Sequence, residues 1–195
     1  MPIKLTPELR KEYQDLFASC EIRPERQPAV TAIRDKITAN RQRYEQVEQA
    51  TKVPWYVVAM IHSLEGSLSF KTHLHNGDPL TAKTVHVPKG RPPGSPPFKW
   101  EDSAIDALKF DNMTGVTKWT LPVILFKLEG FNGFGYRTRH PEVLTPYLWS
   151  FTNHYQKGKF TADRKFDPNA VSKQCGAAAI LKALTSAGAV QVPAA

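Results

Sequence analysis

The segment that most constrains the fold is "VPWYVVAMIHSLE", residues 53–65, because it is apolar almost all the way round. A helix with apolar residues on every side has to be buried on every side. Pro54 suits the first turn of such a helix, and Gly66 suits its end. The β-branched residues would also allow a buried strand, but the length of the segment and these end signals favour a helix. We therefore expect the core to form around this segment.

Other segments carry apolar residues at spacings of three and four, which is typical of helices that pack on one face. Thr6 is a suitable N-cap for the first of them, and Pro122 marks the start of another or a kink in it. Asp167 or Asn169 lies near the expected cap of the last. The segments predicted to be helical are 6–20, 29–50, 100–110, 117–131 and 167–188. The predicted fold class is therefore mainly α.

The pattern changes between residues 72 and 88, where we expect a small β-element. Asn76-Gly77 is the strongest short signal for a hairpin, and residues 83–87 alternate like a strand. Residues 88–97 hold five prolines and two glycines, which predicts a loop.

A chain of 195 residues without a repeat or a clear boundary is predicted to form a single domain. Within it, residues 1–44 are expected to form an N-terminal helical extension, and residues 189–195 a flexible tail. We expect the protein to be a monomer.

The net charge of +8 and the pI near 9.5 indicate an anionic partner, such as nucleic acid, anionic lipid or an acidic cell-wall polymer. Simple solubility is the alternative explanation. The basic residues are spread along the chain, which argues against a nucleic-acid-binding tail. No window reaches the length of uncharged apolar sequence that a membrane span needs, so we expect no stable membrane insertion.

The N-terminal sequence "MPIKLTPELRKEYQDLF" is charged and amphipathic, and it lacks the apolar core of a secretory signal. We therefore expect synthesis in the cytoplasm without a signal peptide. If the target lies in the cell wall or periplasm, the protein would act there after release or export.

Cysteines and histidines give no sign of a metal or a thiol enzyme. Cys20 and Cys175 do not make a disulfide framework, and we expect both to fill the core, with a single disulfide as the alternative. His154 with Cys175 could be imagined as an amidase pair, but an Ala-rich helix presents no nucleophile. His73 and His75 form an H-x-H pair without the further ligands of a zinc site. No metal or cofactor is expected.

Glu65 is the candidate catalytic acid, because it stands at the C-terminal end of the apolar helix. The helix dipole is negative at that end, and apolar surroundings penalise an ionised carboxylate. Both effects favour the protonated form, which a general acid needs. A terminal glutamate that simply faces water is the alternative.

Asp78 is the candidate second carboxylate, since an antiparallel hairpin could bring it across a cleft from the helix end. Glycoside cleavage usually pairs an acid with a carboxylate that activates water or stabilises positive charge. Thr84, together with Thr81, could hold a water there. Turn chemistry is the alternative role for Asp78, because Asn-Gly-Asp-Pro favours turns. Glu101 and Asp102 are the remaining carboxylates of interest, although they suit a helix start.

A loop-rich aromatic stretch over residues 132–155 supplies candidates for sugar binding. Aromatic faces pack on sugar C–H surfaces, and polar tips bind hydroxyl groups. Core packing and turn formation are the alternatives. The substrate-binding residues predicted here and on the H-x-H strand are His75, Asn132, Tyr136, Arg137, Tyr147 and Trp149.

A helix that ends in Glu and is followed by Gly-Ser and a small hairpin resembles the lysozyme superfamily, which includes goose-type and phage-type lysozymes and lytic transglycosylases. The segment "LEGSLSF" (64–70) is similar to the transglycosylase signature around the acid, and "FNGFGYR" (131–137) is similar to the "YNAG" element that lines the sugar cleft. The interval from Glu65 to Asp78 resembles that of goose-type enzymes, and the spacing of Asp78 and Thr84 resembles that of phage-type enzymes. Residues 45–185 as a whole resemble a bacterial and phage-borne group called lysozyme family proteins.

This resemblance implies a lysozyme-like fold with a β-hairpin beside the catalytic cleft, Glu65 as the acid and peptidoglycan strands as the partner. The implied activity is that of a muramidase, which cleaves β-1,4 bonds between N-acetylmuramic acid and N-acetylglucosamine. The chain lacks a "GLMQ"-like segment and has a Pro-rich insertion, so hydrolysis and lytic transglycosylation both remain open. A chitinase- or chitosanase-like enzyme and an inactive glycan-binding module remain open as well. No nucleic-acid partner is expected.

Overall fold

The computed structural model describes residues 3–162 and 164–193. The chain is mainly helical, as predicted, and the described residues also form one two-stranded antiparallel sheet. The helices are α1 (Pro7–Ala18), α2 (Gln27–Ala39), α3 (Arg41–Thr51), α4 (Trp55–Gly66), α5 (Trp100–Phe110), α6 (Leu121–Phe131), α7 (Gly135–Arg139), α8 (Pro146–Trp149) and α9 (Ala177–Ser186). The strands are β1 (Lys159–Ala162) and β2 (Lys165–Asp167), and a 3-10 helix spans Pro24–Arg26.

The chain divides into two compact units, and the boundary between them falls inside α2. The first unit comprises Met1–Arg34 and Trp119–Ala195, and the second comprises Asp35–Lys118. The first unit is therefore discontinuous in sequence, whereas the second is one continuous stretch.

In the second unit, α3 packs against both α4 and α5. Every residue of α4 except Glu65 is buried, which confirms the prediction of a helix that is apolar all round. Pro54 is its N-cap, and Gly66 is its last residue. The interior of this unit is aromatic: the ring of His62 lies 4.5 Å from that of Trp100 and 5.9 Å from that of Tyr44.

In the first unit, α1 packs along α6, and α8 packs against α6 and α9. Thr6 caps α1 as predicted, since its hydroxyl accepts a hydrogen bond from Leu9 N. The buried ring of Tyr13 on α1 reaches Glu129 on α6, where its hydroxyl donates to Oε2 at 2.5 Å. Helix α1, in the predicted N-terminal extension, thus contributes to the same interior as α6.

The structure describes most of the segment that was predicted to be a flexible tail. Val190, in the segment expected to be a flexible tail, is buried, and Ala189 N donates to Leu184 O at 3.0 Å. Met1, Pro2, Ala194 and Ala195 lie outside the described residues. Cys20 and Cys175 are both free and buried, as core residues would be.

The small sheet lies at residues 159–167 and not at 72–88. Phe160 pairs with Phe166, and a bulge follows Phe160. The prediction of a strand over 83–87 is wrong, because none of these residues is in a strand. An isolated bridge between Thr72 and Pro79 is the β-pairing found within residues 72–88.

Two helix predictions need correction at their bounds. The helix expected over 29–50 is two helices, α2 and α3, which are separated at Asn40. The helix expected over 167–188 begins only at Ala177, and Asp167 is instead the last residue of β2. Pro122 lies at the start of α6, which settles the choice between a start and a kink.

Candidate functional site

Glu65 lies one residue before the end of α4, and its side chain is the partly exposed one of that otherwise buried helix. The chain then leaves the helix through Ser67 and Leu68, which have left-handed φ values of 49° and 57°. This exit turns the backbone away from the helix axis at once. The carboxyl group of Glu65 thus lies at the end of a buried helix and is partly exposed to solvent.

The turn at Asn76-Gly77 packs directly against the carbonyl oxygen of Glu65. Gly77 has a φ of 80°, and a Cβ placed on it would lie 2.9 Å from Glu65 O. No other residue fits that position without movement of the backbone. The loop is closed behind the turn by two backbone hydrogen bonds with His73, which donates to Asp78 O at 2.7 Å and accepts from Gly77 N at 3.0 Å. The residue after Gly77 is therefore held close to the end of α4.

The carboxylate of Asp78 is buried and fully used within its own loop. Its Oδ2 accepts the backbone N–H groups of Val85 at 2.8 Å and His86 at 3.0 Å, and its Oδ1 lies 2.6 Å from His86 Nδ1. Burial disfavours the charge of Asp78, but these hydrogen bonds outweigh it and lower the pKa to about 2. Asp78 is therefore ionised, and the proton of the 2.6 Å bond belongs to His86.

Thr84 is buried in the same loop, and its hydroxyl is used in both directions. It donates to the carbonyl of Pro88 and accepts from Arg91 N at 2.9 Å. The hydrogen bonds of Thr84 thus close the loop 84–91. These two hydrogen bonds account for the burial of the Thr84 hydroxyl without the water that the sequence analysis expects it to hold.

His75, predicted to contact substrate, has no exposed side-chain surface. Its Nε2 lies 2.9 Å from Asp106, whose carboxylate also binds the guanidinium of Arg91. Burial lowers the pKa of His75, and the bond to Asp106 acts in the opposite direction. The structure gives this ring an internal role between loop and helix α5. A direct contact with a ligand would require this cluster to open.

Three of the predicted sugar-binding residues line one groove of about 470 Å³ in the first unit. Asn132 is exposed at its rim, and the rings of Tyr136 and Tyr147 are largely buried in its floor. Strand β1 provides the opposite wall. The groove is lined by Asn132, Gly133, Gly135, Tyr136, Arg139, Pro146, Tyr147, Lys159, Phe160, Thr161, Ala162, Arg164, Ser172 and Gln174.

Arg137 and Trp149 do not line that groove. The guanidinium of Arg137 binds both oxygens of Glu129, at 3.1 and 2.9 Å, and binds Glu12 at 2.9 Å. Trp149 is 1% exposed and serves as a core residue. Both residues instead line a second cavity of about 380 Å³ between α1, α6 and the loop before α8. The ion pairs of Arg137 correct the expectation of a cation available to substrate.

The sequence prediction gave His86 no role in the site, and it did not include the strand that forms the far wall of the groove. His86 carries an exposed ring that is oriented by Asp78. Lys159, Phe160 and Arg164 belong to the segment "KFTADRKFD", whose apolar and charged residues partly alternate. That alternation was a usable strand signal. The prediction placed the β-element at Asn76-Gly77 instead.

The described residues hold no group of three or more His, Cys, Asp and Glu side chains that could bind a metal ion. None of the helices in residues 3–162 and 164–193 combines the length and the hydropathy needed to cross a bilayer. Comparison of the chain with models of protein families, with curated proteins and with solved structures gives no match.

Proposed function

We propose that the protein is a glycoside hydrolase of the lysozyme type, which cleaves β-1,4 bonds of peptidoglycan with Glu65 as the proton donor. One observation carries this proposal. Glu65 is the only residue of α4 that is not buried, and the turn before Asp78 packs on its backbone. A general acid needs this setting, in which a carboxyl group adjoins apolar packing and still reaches the surface.

The position of Glu65 on its helix supports the role of acid. The last turn of a helix carries the negative end of the macrodipole, which disfavours a second negative charge. The neighbours of Glu65 along α4 are buried, so little water surrounds the base of the side chain. Both costs apply to the carboxylate only, so they keep Glu65 protonated before the reaction. Its proton is transferred as the leaving oxygen gains charge in the transition state.

Asp78 has a different role in this proposal. Its carboxylate holds three hydrogen bonds and has a pKa of about 2, so it is a poor base. It fixes the loop next to the acid and keeps a negative charge there. That charge could stabilise a positively charged sugar in the transition state, as the second carboxylate of a glycosidase does.

The hydrogen bonds of Asp78 also favour a second candidate, a lytic transglycosylase. Such an enzyme uses a single carboxyl group first as acid and then as base, and it needs no carboxylate to activate water. Glu65 would perform both steps, and the product would carry an anhydro ring. The mass of the released fragments distinguishes this reaction from hydrolysis, since the anhydro product is lighter by one water.

The proposal is tested by the clearing of purified cell walls with the wild type and Glu65→Gln. We expect the variant to lose activity while its melting temperature stays near that of the wild type. Glu25→Gln is a suitable control, since Glu25 is exposed in the 3-10 helix and its replacement removes the same charge. Full activity of Glu65→Gln would refute the proposed role of this residue. A wild type that binds walls without cleaving them would indicate a glycan-binding module, and cleavage of chitin or chitosan alone would indicate another substrate.

A further inference from the structure

We infer that the groove between α7, α8 and strand β1 binds a glycan strand through the carboxylate groups that the strand carries. This inference rests on the proposed function, because it names the substrate feature that the protein would recognise. The groove belongs entirely to the first unit. It can therefore be examined separately from the chemistry of Glu65.

The floor of the groove is aromatic and fixed in place. The rings of Tyr136 and Phe160 meet edge to face, with centroids 5.0 Å apart, and Tyr136 Oη accepts a hydrogen bond from Phe160 N at 3.1 Å. Pro146 and Tyr147 at the start of α8 continue this surface. A rigid aromatic surface suits the C–H face of a sugar ring, because little side-chain entropy is lost when it binds.

The walls of the groove are cationic. Arg139, Lys159 and Arg164 line it, and no described lining residue is acidic. None of the three forms an ion pair with an acidic residue among those that the structure describes. Three positive side chains around one groove create a field that attracts an anion. Arginine in addition binds a carboxylate with two parallel hydrogen bonds.

Arg137, in contrast to these three cations, has a structural role, because its charge is paired with carboxylates of the protein. It lies two residues before Arg139, yet its guanidinium binds Glu129 and Glu12 and is directed into a different cavity. The two neighbouring arginines thus divide into one that is neutralised internally and one that faces the groove. Among the residues that the structure describes, no carboxylate pairs with Arg139, so its charge is directed to the groove.

The remaining lining residues fit a sugar better than a nucleic acid or a neutral glycan. Asn132 and Thr161 offer amide and hydroxyl groups of the kind that bind sugar hydroxyl and N-acetyl groups. A neutral glycan would gain nothing from the three cations. A nucleic acid presents a phosphate at each nucleotide and is bound along a continuous track, whereas these cations surround a single groove.

The test measures binding of soluble peptidoglycan fragments to the full chain with Glu65→Gln, which prevents turnover. The variants are Arg139→Gln, Lys159→Gln and Arg164→Gln. Lys165→Gln is the matched control, because Lys165 lies on the same hairpin and is exposed but does not line the groove. Each groove variant is expected to weaken binding about two- to fivefold, the range for exposed charge pairs. The control is expected to bind like its parent.

Changes to the ligand provide the second arm of the test. Fragments whose carboxylates have been amidated and neutral chitooligosaccharides are expected to bind weakly, and to be insensitive to the three groove substitutions. Equal binding of amidated and free-acid fragments would overturn the inference. So would groove variants that bind like the Lys165→Gln control, or single-stranded DNA that binds more tightly than the glycan.

The two proposals fail in different ways. If the chain with Glu65 intact clears cell walls but the groove variants bind normally, only the groove inference is wrong. If the chain has no lytic activity but binding depends on carboxylates and on the three cations, the groove stands and the hydrolase proposal falls.

Discussion

The ring of His86 is held by Asp78, since its Nδ1 lies 2.6 Å from one carboxylate oxygen while the other oxygen accepts two backbone N–H groups. This arrangement presents a loop with an exposed apolar edge. Val85 is 65% exposed, and Val87 is 88% exposed, on either side of His86. Asp78 thus stabilises a surface loop next to the end of α4.

Replacement of Asp78 by Ala is expected to lower the free energy of unfolding by about 1–3 kcal/mol, because two backbone N–H groups lose the charged acceptor of their partly buried hydrogen bonds. His86→Ala removes only one of the three bonds and should cost less. Denaturant unfolding measures both. The folded pKa of Asp78 is lowered, so its contribution is complete above the unfolded value of 3.8 and is lost as the pH falls through about 2. Equal stabilities for the two variants would contradict this assignment.

Gly77→Ala tests the contact between the turn and Glu65. Gly90 is a matched control, because its φ of 81° is close to the 80° of Gly77 and a Cβ there would meet nothing within 4 Å. Both substitutions incur the left-handed penalty of about 1–2 kcal/mol. Only Gly77→Ala also forces the turn away from α4, so we expect it to cost more stability and to reduce lytic activity. If both variants behave alike, the contact is unimportant.

His62 is expected to remain neutral well below pH 6. Burial lowers its pKa from 6.5 to about 4, and the charges of Lys36 and Arg43 act in the same direction against the bond to Ser69. Neutral His62 donates from Nε2 to Ser69 O and accepts from Tyr44 at Nδ1, each at 3.0 Å. Proton NMR of the ring over this pH range measures the pKa directly.

The pKa of His62 also affects stability. Between pH 6.5 and about 4 the unfolded chain binds a proton at this site and the folded chain does not, so stability falls as the pH is lowered. The loss amounts to about 3 kcal/mol if the full shift is realised. Unfolding curves for His62→Gln should lack this component. An unchanged pH dependence in that variant would place its origin elsewhere.

Arg137→Gln is expected to destabilise the first unit by about 3–5 kcal/mol, because it leaves the buried carboxylate of Glu129 without its cation. Tyr13→Phe removes one hydrogen bond to the same carboxylate and should cost about 1.5–3 kcal/mol. Arg139→Gln is the control and should change stability by less than about 0.5 kcal/mol. A double-mutant cycle of Tyr13 and Arg137 is expected to be non-additive. Additive effects would show that the three residues do not act as one network.

The sequence predicted best those elements whose signal is contained within the element. Helix α4 is one example, because its apolar residues on all sides and its ends are visible within residues 53–66. The prediction of a strand over 83–87 is wrong because of a residue outside that segment, Asp78. The N–H groups of Val85 and His86 are taken by the side chain of Asp78, where a partner strand would have offered carbonyl groups.

Some local signals predict the correct hydrogen bonds but the wrong secondary-structure element. Asp167 was expected to cap a helix, and its carboxylate does accept the N–H groups of Asn169 and Ala170. These bonds close a turn after β2, and the helix begins later. Asn40 interrupts the long predicted helix while its side chain bonds to Lys36 O. Such competition between side chain and backbone is not decided by apolar periodicity.

In the candidate site, too, some features follow from local sequence patterns and others depend on tertiary packing. The place of Glu65 at the end of a buried helix follows from the pattern of α4 alone. The pairing of Arg137 with Glu12 joins residues 125 positions apart, and no local pattern indicates it. The groove likewise depends on β1 lying beside α7 and α8, which only tertiary packing decides.

The discontinuity of the first unit has a consequence for synthesis on the ribosome. Helix α1 emerges early, but its partner α6 and the rest of that interior are encoded after residue 118. Helices α3, α4 and α5 form one continuous stretch and can complete their interior while translation continues. Nascent chains in which residues 35–118 have left the ribosome but α6 has not would therefore protect α4 from proteases and leave α1 open to cleavage.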